Sequence, residues 1–63
     1  MGQALMKYYA LIEKEGGMMA KMKLAAATRM PSVKAATEPD TADIVAAFRK
    51  AYQEITGKAA PMV

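Results

Sequence analysis

The sequence contains no cysteine, no histidine and no tryptophan. Without cysteine the chain can form neither a disulfide nor a thiolate metal site. Without histidine it lacks the commonest structural metal ligand and the usual general acid or base, and no Ser–His or Cys–His pair can exist. The glycine patterns of a Walker A loop and of a dinucleotide-binding turn are missing as well. We therefore expect a protein without catalysis, cofactor or metal of its own.

Long apolar runs are also missing. No run approaches the roughly 18–20 residues that a transmembrane helix requires, and Lys7, Glu13 and Glu15 interrupt any signal-peptide pattern near the N-terminus. Residues 1–6 begin like a myristoylation signal, but Met6 stands where serine or threonine is needed. The expectation is a cytoplasmic protein with no membrane span.

Bulky apolar side chains are scarce, because much of the 54% hydrophobic content is alanine. A chain of 63 residues forms one domain, and a domain of this size hides only about 60% of the surface that its unfolded chain exposes. Small folds usually recruit disulfides, metals or partner subunits. With the first two excluded, the sequence predicts a homo-oligomer, with a dimer favoured.

The clearest pattern present is a helix over residues 41–56. Its apolar side chains fall on one arc of a helical wheel and its charged side chains on the other. Asp40 or Thr41 can act as the N-cap, and Gly57 can adopt the positive φ of a helix C-terminus. Asp43 suits the positive end of the helix dipole. The apolar pattern and the signals at both ends therefore predict the same helix.

Two further helices are predicted over residues 3–15 and 18–30, separated by Gly16–Gly17 and ended by Pro31. The glycine pair is either a tight turn or a hinge that lets helices exchange between subunits. Val33 is expected to anchor the connector, and residues 58–63 are expected to fray. The fold class is thus all-α, a small three-helix domain completed by homo-oligomerisation. Its predicted core is Leu5, Tyr9, Ile12, Ile44, Val45, Phe48, Tyr52 and Ile55.

Methionine is unusually frequent, with seven in the chain and four of them in the second predicted helix. Its flexible, polarizable side chain suits both a partner-binding surface and a gap-filling role in a small core. Either interpretation places the second helix against something apolar; a copper(I) thioether site is a minor alternative. The predicted interface residues are Met18, Met19, Met22, Ala26 and Met30.

Residues 17–36 hold four basic side chains and no acidic one, which suggests a nucleic-acid or anionic surface. The candidate residues are Lys21, Lys23, Arg29 and Lys34. However, Lys21 and Lys23 point about 200° apart on a helix, and the connector is too long for a helix-turn-helix. A solvated face is the favoured interpretation.

The remaining polar candidates have similarly plain interpretations. Glu38, Asp40 and Asp43 could gather around a cation, but capping is favoured. The tyrosines could stack on unpaired bases, but core packing is favoured, with Tyr8 the least certain. The sequence therefore predicts a small helical oligomerisation or protein-interaction module of unknown role. The alternative is a nucleic-acid-binding accessory protein that uses residues 17–36.

Overall fold

A computed structural model describes residues 3–62. Within this range the chain forms three helices and no strand, which confirms the all-α prediction: α1 is Gln3–Thr28, α2 is Ser32–Ala35 and α3 is Ala42–Thr56. Gly17, whose backbone is not helical, divides α1 into two helical parts, and the short α2 lies in the predicted connector. Between residues 3 and 62 no helix is both long and apolar enough to cross a bilayer.

Helix α1 is sharply bent at Gly17. A straight helix of its 26 residues would be about 39 Å long, whereas the longest dimension of the molecule is 25 Å. The bend lies at Gly17, whose φ of 75° and ψ of −165° are not helical. We call residues 3–16 the first arm and residues 18–28 the second arm. The arms turn so tightly that a Cβ added to Gly16 would lie 2.6 Å from the Cβ of Ala20.

The core lies where the two arms of α1 meet α3. Tyr9 packs edge-on against Phe48 with 5.5 Å between ring centroids, and Tyr8 lies 6.2 Å from Tyr52. Such ring pairs add about 0.5–1.5 kcal/mol each beyond the area they bury. The buried members of the core are Leu5, Tyr8, Tyr9, Ile12, Ala20, Leu24, Ala35, Phe48, Ala51 and Tyr52, and the partly buried Ile44, Val45 and Ile55 pack against them.

Two buried side chains differ from expectation. Leu24 and Tyr8 are absent from the predicted core, yet both are almost fully buried. Tyr8 donates a hydrogen bond of 2.9 Å to the carbonyl oxygen of Pro61. Since all three tyrosine rings are buried, none provides an exposed platform for a base.

The helix ends are stabilised by side chains from two parts of the chain. The Thr41 hydroxyl oxygen accepts a bond from the amide of Ile44 and so caps α3. Asp40, the other predicted cap, instead accepts a bond of 3.1 Å from the amide of Ala4, in the first turn of α1. A carboxylate there also complements the helix dipole. At the other end of α3, Gly57 has a φ of 72°.

One expectation for the connector is corrected. Val33 is 82% exposed and does not anchor the connector; the buried Ala35 of α2 does so. In the segment 58–63, the described residues Lys58 and Pro61 bond to side chains of α1. Lys58 Nζ lies 2.9 Å from Glu15 Oε2. The hydrogen bond to Glu15 and the negative charge of its carboxylate raise the pKa of Lys58.

The core is closed within one chain. The accessible surface is 4165 Å², close to the roughly 4,000 Å² that a compact monomer of this mass exposes. A second copy is therefore not needed to cover the buried residues. Any association must use another surface.

Tyr9 gives the fold a measurable pH dependence. Its hydroxyl donates to the carbonyl oxygen of Met30. Burial raises the pKa of Tyr9, and a hydrogen bond with Thr28 lowers it by less. A pKa raised on folding stabilises the fold at pH values below the ordinary tyrosine pKa of about 10, and this contribution is lost as the pH rises through the folded-state pKa.

We therefore expect Tyr9→Phe to lower the unfolding free energy by about 1 kcal/mol at neutral pH, because the hydrogen bond to Met30 is lost. Above pH 10 or so its unfolding free energy should fall less steeply than that of the unsubstituted protein. Urea unfolding followed by circular dichroism from neutral to alkaline pH measures both slopes. Identical alkaline slopes would contradict the assignment.

Candidate interaction surface

The second arm of α1 exposes three methionines on one side. Met18, Met19 and Met22 are 63%, 72% and 66% exposed. At about 100° per residue, these three and the exposed Ala26 fall within an arc of about 100°, opposite the buried Ala20 and Leu24. We call Met18, Met19, Met22 and Ala26 the methionine face. The second arm is thus buried on one side and apolar on its solvent side.

Met30, the fifth predicted interface residue, does not belong to this face. The amide of Arg29 bonds to the carbonyl of Ala26 and that of Met30 to the carbonyl of Ala25. Arg29 has a φ of 52°. These bonds form a Schellman motif, in which an apolar residue after the left-handed position packs back on the last turn. Met30 is consequently half-buried against the core.

The other exposed large apolar side chains are scattered. Met6, Val33 and Met62 lie on separate segments. Single exposed apolar residues of this kind are ordinary on protein surfaces. Among the exposed large apolar side chains of residues 3–62, three lie together on one side of a helix, and these are the methionines of the methionine face.

One of the four predicted basic residues is paired with an acidic side chain. Lys21 turns towards the first arm, where its Nζ lies 3.2 Å from Glu13 Oε1. Lys23, Arg29 and Lys34 are exposed and form no ion pair with any residue between 3 and 62. The structure therefore leaves three unpaired cations on different parts of the second arm, its end and α2.

The acidic residues before α3 do not gather into a cation site. Over the described residues no three acidic side chains come close enough to hold a metal ion. Asp40 is directed to α1 instead, and Asp43 lies in the first turn of α3. Both positions agree with the capping interpretation.

A groove on the outer side of α3 is a feature that sequence reasoning missed. It has a volume of about 340 Å³ and is lined by Ala46, Arg49, Lys50, Gln53, Ala59 and Ala60. In the sequence Arg49 and Lys50 are simply members of a polar helix face. The groove exists because the segment after α3 folds back, with Ala60 packed against the core.

Comparison with models of protein families, with curated proteins and with solved structures finds no match to this chain.

Proposed function

We propose that this protein is a small self-associating interaction module, without catalysis of its own, that pairs with a second copy through the methionine face. One observation supports the proposal above all. Met18, Met19 and Met22 are each about two-thirds exposed on one side of an arm whose opposite side is already buried in a closed core.

The size of the face sets the strength expected of the pairing. Fully burying a methionine side chain gives about 1.5–3 kcal/mol, so burying the exposed parts of three gives roughly 3–6 kcal/mol per protomer, or about 6–12 kcal/mol for the dimer. Association costs about 4–15 kcal/mol. An arm of 11 residues also buries less than the roughly 800 Å² per partner of a standard interface. The balance favours a weak, reversible dimer over an obligate one.

A second copy fits this face because the face is self-complementary. Met18 and Ala26 lie four residues on either side of Met22. If two arms pair antiparallel about a two-fold axis through Met22, the large Met18 of one copy meets the small Ala26 of the other. The unbranched thioether side chains adapt to the remaining gaps.

The proposal is tested by Met22→Lys, which puts a charge at the centre of the expected interface. Met22 is 66% exposed, so this change should leave the unfolding free energy within about 0.5 kcal/mol. Self-association should weaken by at least about tenfold, since a buried charge must be desolvated. Sedimentation equilibrium over concentrations on the order of 10 µM to 1 mM covers the affinity range expected of such a weak dimer.

Val33→Lys is the matched control, because Val33 is 82% exposed but lies away from the methionine face. It should dimerise like the unsubstituted protein. A chain that remains monomeric up to millimolar concentration contradicts the proposal, as does equal weakening by Met22→Lys and Val33→Lys.

Nucleic-acid binding is a second candidate, favoured by the unpaired and exposed Lys23, Arg29 and Lys34. The two candidates respond to salt in opposite ways. Three phosphate contacts would weaken binding roughly 40-fold between 50 and 200 mM salt. Apolar pairing of two arms with basic flanks should hold or strengthen, because salt screens like charges. A panel of DNA and RNA that shows no binding at low salt removes this candidate.

A further inference from the structure

One charged side chain that lines the groove on α3 has an unpaired donor. The Nε atom of Arg49 is buried and has no hydrogen-bond partner among the described residues. Buried polar atoms in proteins are normally paired, and an unpaired one on a charged group is costly. Nε itself is covered, but Arg49 also lines the open groove, so a ligand there can contact the accessible part of its guanidinium group.

The charge of the groove indicates what that partner is. Its lining includes Arg49, Lys50 and Gln53, and contains no acidic residue. Neither Arg49 nor Lys50 forms an ion pair anywhere between residues 3 and 62. Two uncompensated cations on adjacent residues favour an anion over a neutral ligand.

We propose that this groove binds an oxyanionic group, a phosphate or a carboxylate, carried by a small ligand. A guanidinium presents its N–H donors in a planar fork that matches two oxygens of such a group. Arg49 is the principal donor, Lys50 adds a second positive charge and Gln53 supplies an amide donor. Ala46, Ala59 and Ala60 line the rest of the groove and leave room for a small apolar substituent on the ligand.

This site is independent of the proposed dimer. It lies on α3 and the segment after it, whereas the methionine face lies on the second arm of α1. The proposed anion site can therefore be disproved without affecting the proposed dimer, and the reverse also holds.

The side-chain Nε–H signals of arginine in a ¹H–¹⁵N spectrum test the proposal directly. The sequence has two arginines, Arg29 and Arg49, so the exposed Arg29 serves as an internal reference. Titration with inorganic phosphate, at constant ionic strength set by chloride, should move the Arg49 signal saturably. A dissociation constant on the order of a millimolar is expected for so small and open a site. The Arg29 signal should not saturate.

Acetate and phenyl phosphate form the other arms of the titration. Tighter binding of phenyl phosphate than of inorganic phosphate supports a ligand with a phosphoryl group and an apolar substituent. Tighter binding of acetate than of phosphate supports a carboxylate ligand. An Arg49 signal that responds to none of the three, or that shifts in parallel with Arg29, overturns the proposal.

Substitutions separate the fork of Arg49 from its charge. Arg49→Lys keeps the charge but loses the paired donors, and phosphate binding, followed on backbone amides, should weaken about tenfold. Lys50→Gln should weaken binding several-fold, while Lys14→Gln, an exposed residue of the first arm, should leave it unchanged. Unchanged binding in both Arg49→Lys and Lys50→Gln overturns the assignment. The Lys50 variant keeps the test valid if Arg49→Lys folds poorly.

Discussion

Leu24→Ala is expected to cost about 3–4 kcal/mol of unfolding free energy, within the range measured for buried leucines. The side chain is 0% exposed, and within the second arm Leu24 and Ala20 are the two buried residues. Losing Leu24 leaves that arm almost without an anchor. A domain of this length has only about 3–9 kcal/mol of stability in total. Urea unfolding followed by circular dichroism should show a much lower midpoint.

Met22→Ala is the matched control for this prediction, because Met22 lies two residues before Leu24 and is 66% exposed. Its unfolding free energy should change by no more than about 0.5 kcal/mol. Both variants should be compared at low micromolar concentration, where a weak dimer does not contribute. Equal losses, or a larger loss in Met22→Ala, would mean that the second arm is rotated from the described orientation.

The sequence predicts α3 well because the relevant information is local. Its apolar side chains lie on one arc, Thr41 supplies the cap and Gly57 the left-handed turn. The first arm is similar, since Leu5, Tyr9 and Ile12 repeat at helical spacing. In both cases the residues that form the element also show which side of it is buried.

The second arm is harder because its sequence carries little contrast. Alanines and methionines surround Leu24 on all sides of the wheel, so the pattern does not choose a buried face. The bend at Gly17 and the contact with α3 make that choice. The burial of Met30 is hard to predict for a related reason. It depends on the positive φ of Arg29, and an arginine in the sequence does not indicate that conformation.

The surfaces show the same difference between local and tertiary information. Exposure of Met18, Met19 and Met22 agrees with the interface that the sequence predicts, although their pairing remains a prediction. The partner of Lys21 is Glu13, eight residues earlier and on the other arm, so only the bend brings them together. The groove at Arg49 depends on the return of Ala59 and Ala60 onto α3, which no local pattern indicates.

Gly17→Ala is expected to have the second large effect, through backbone strain alone. The φ of 75° and ψ of −165° at Gly17 belong to a region that is essentially restricted to glycine, and placing alanine there costs about 2–3 kcal/mol. Gly57→Ala is the matched control. Gly57 has a φ of 72° and a ψ of 8°, a left-handed conformation that alanine adopts at a cost of about 1–2 kcal/mol. A Cβ would meet nothing within 4 Å at either position.

The backbone strain in Gly17→Ala can be relieved by a change of structure that is not open to Gly57→Ala. Alanine favours a helix, so the two arms of Gly17→Ala can join into one straight helix, which is about 39 Å long for 26 residues. The second arm then leaves the core of its own chain, and Leu24 can be buried again only in the core of a second chain. Exchange of arms between two chains restores every core contact without the bend.

We therefore expect Gly17→Ala to combine a less stable monomer with a dimer that persists on dilution, unlike the weak dimer proposed for the methionine face. Adding Met22→Lys distinguishes the two, because an exchanged dimer does not require the methionine face and should survive that substitution. Sedimentation velocity of the single and double variants measures this. If Gly17→Ala is as stable as the unsubstituted protein and dissociates like it, the bend does not depend on glycine, and Gly17 is a permissive turn residue instead of the position that keeps both arms on one chain.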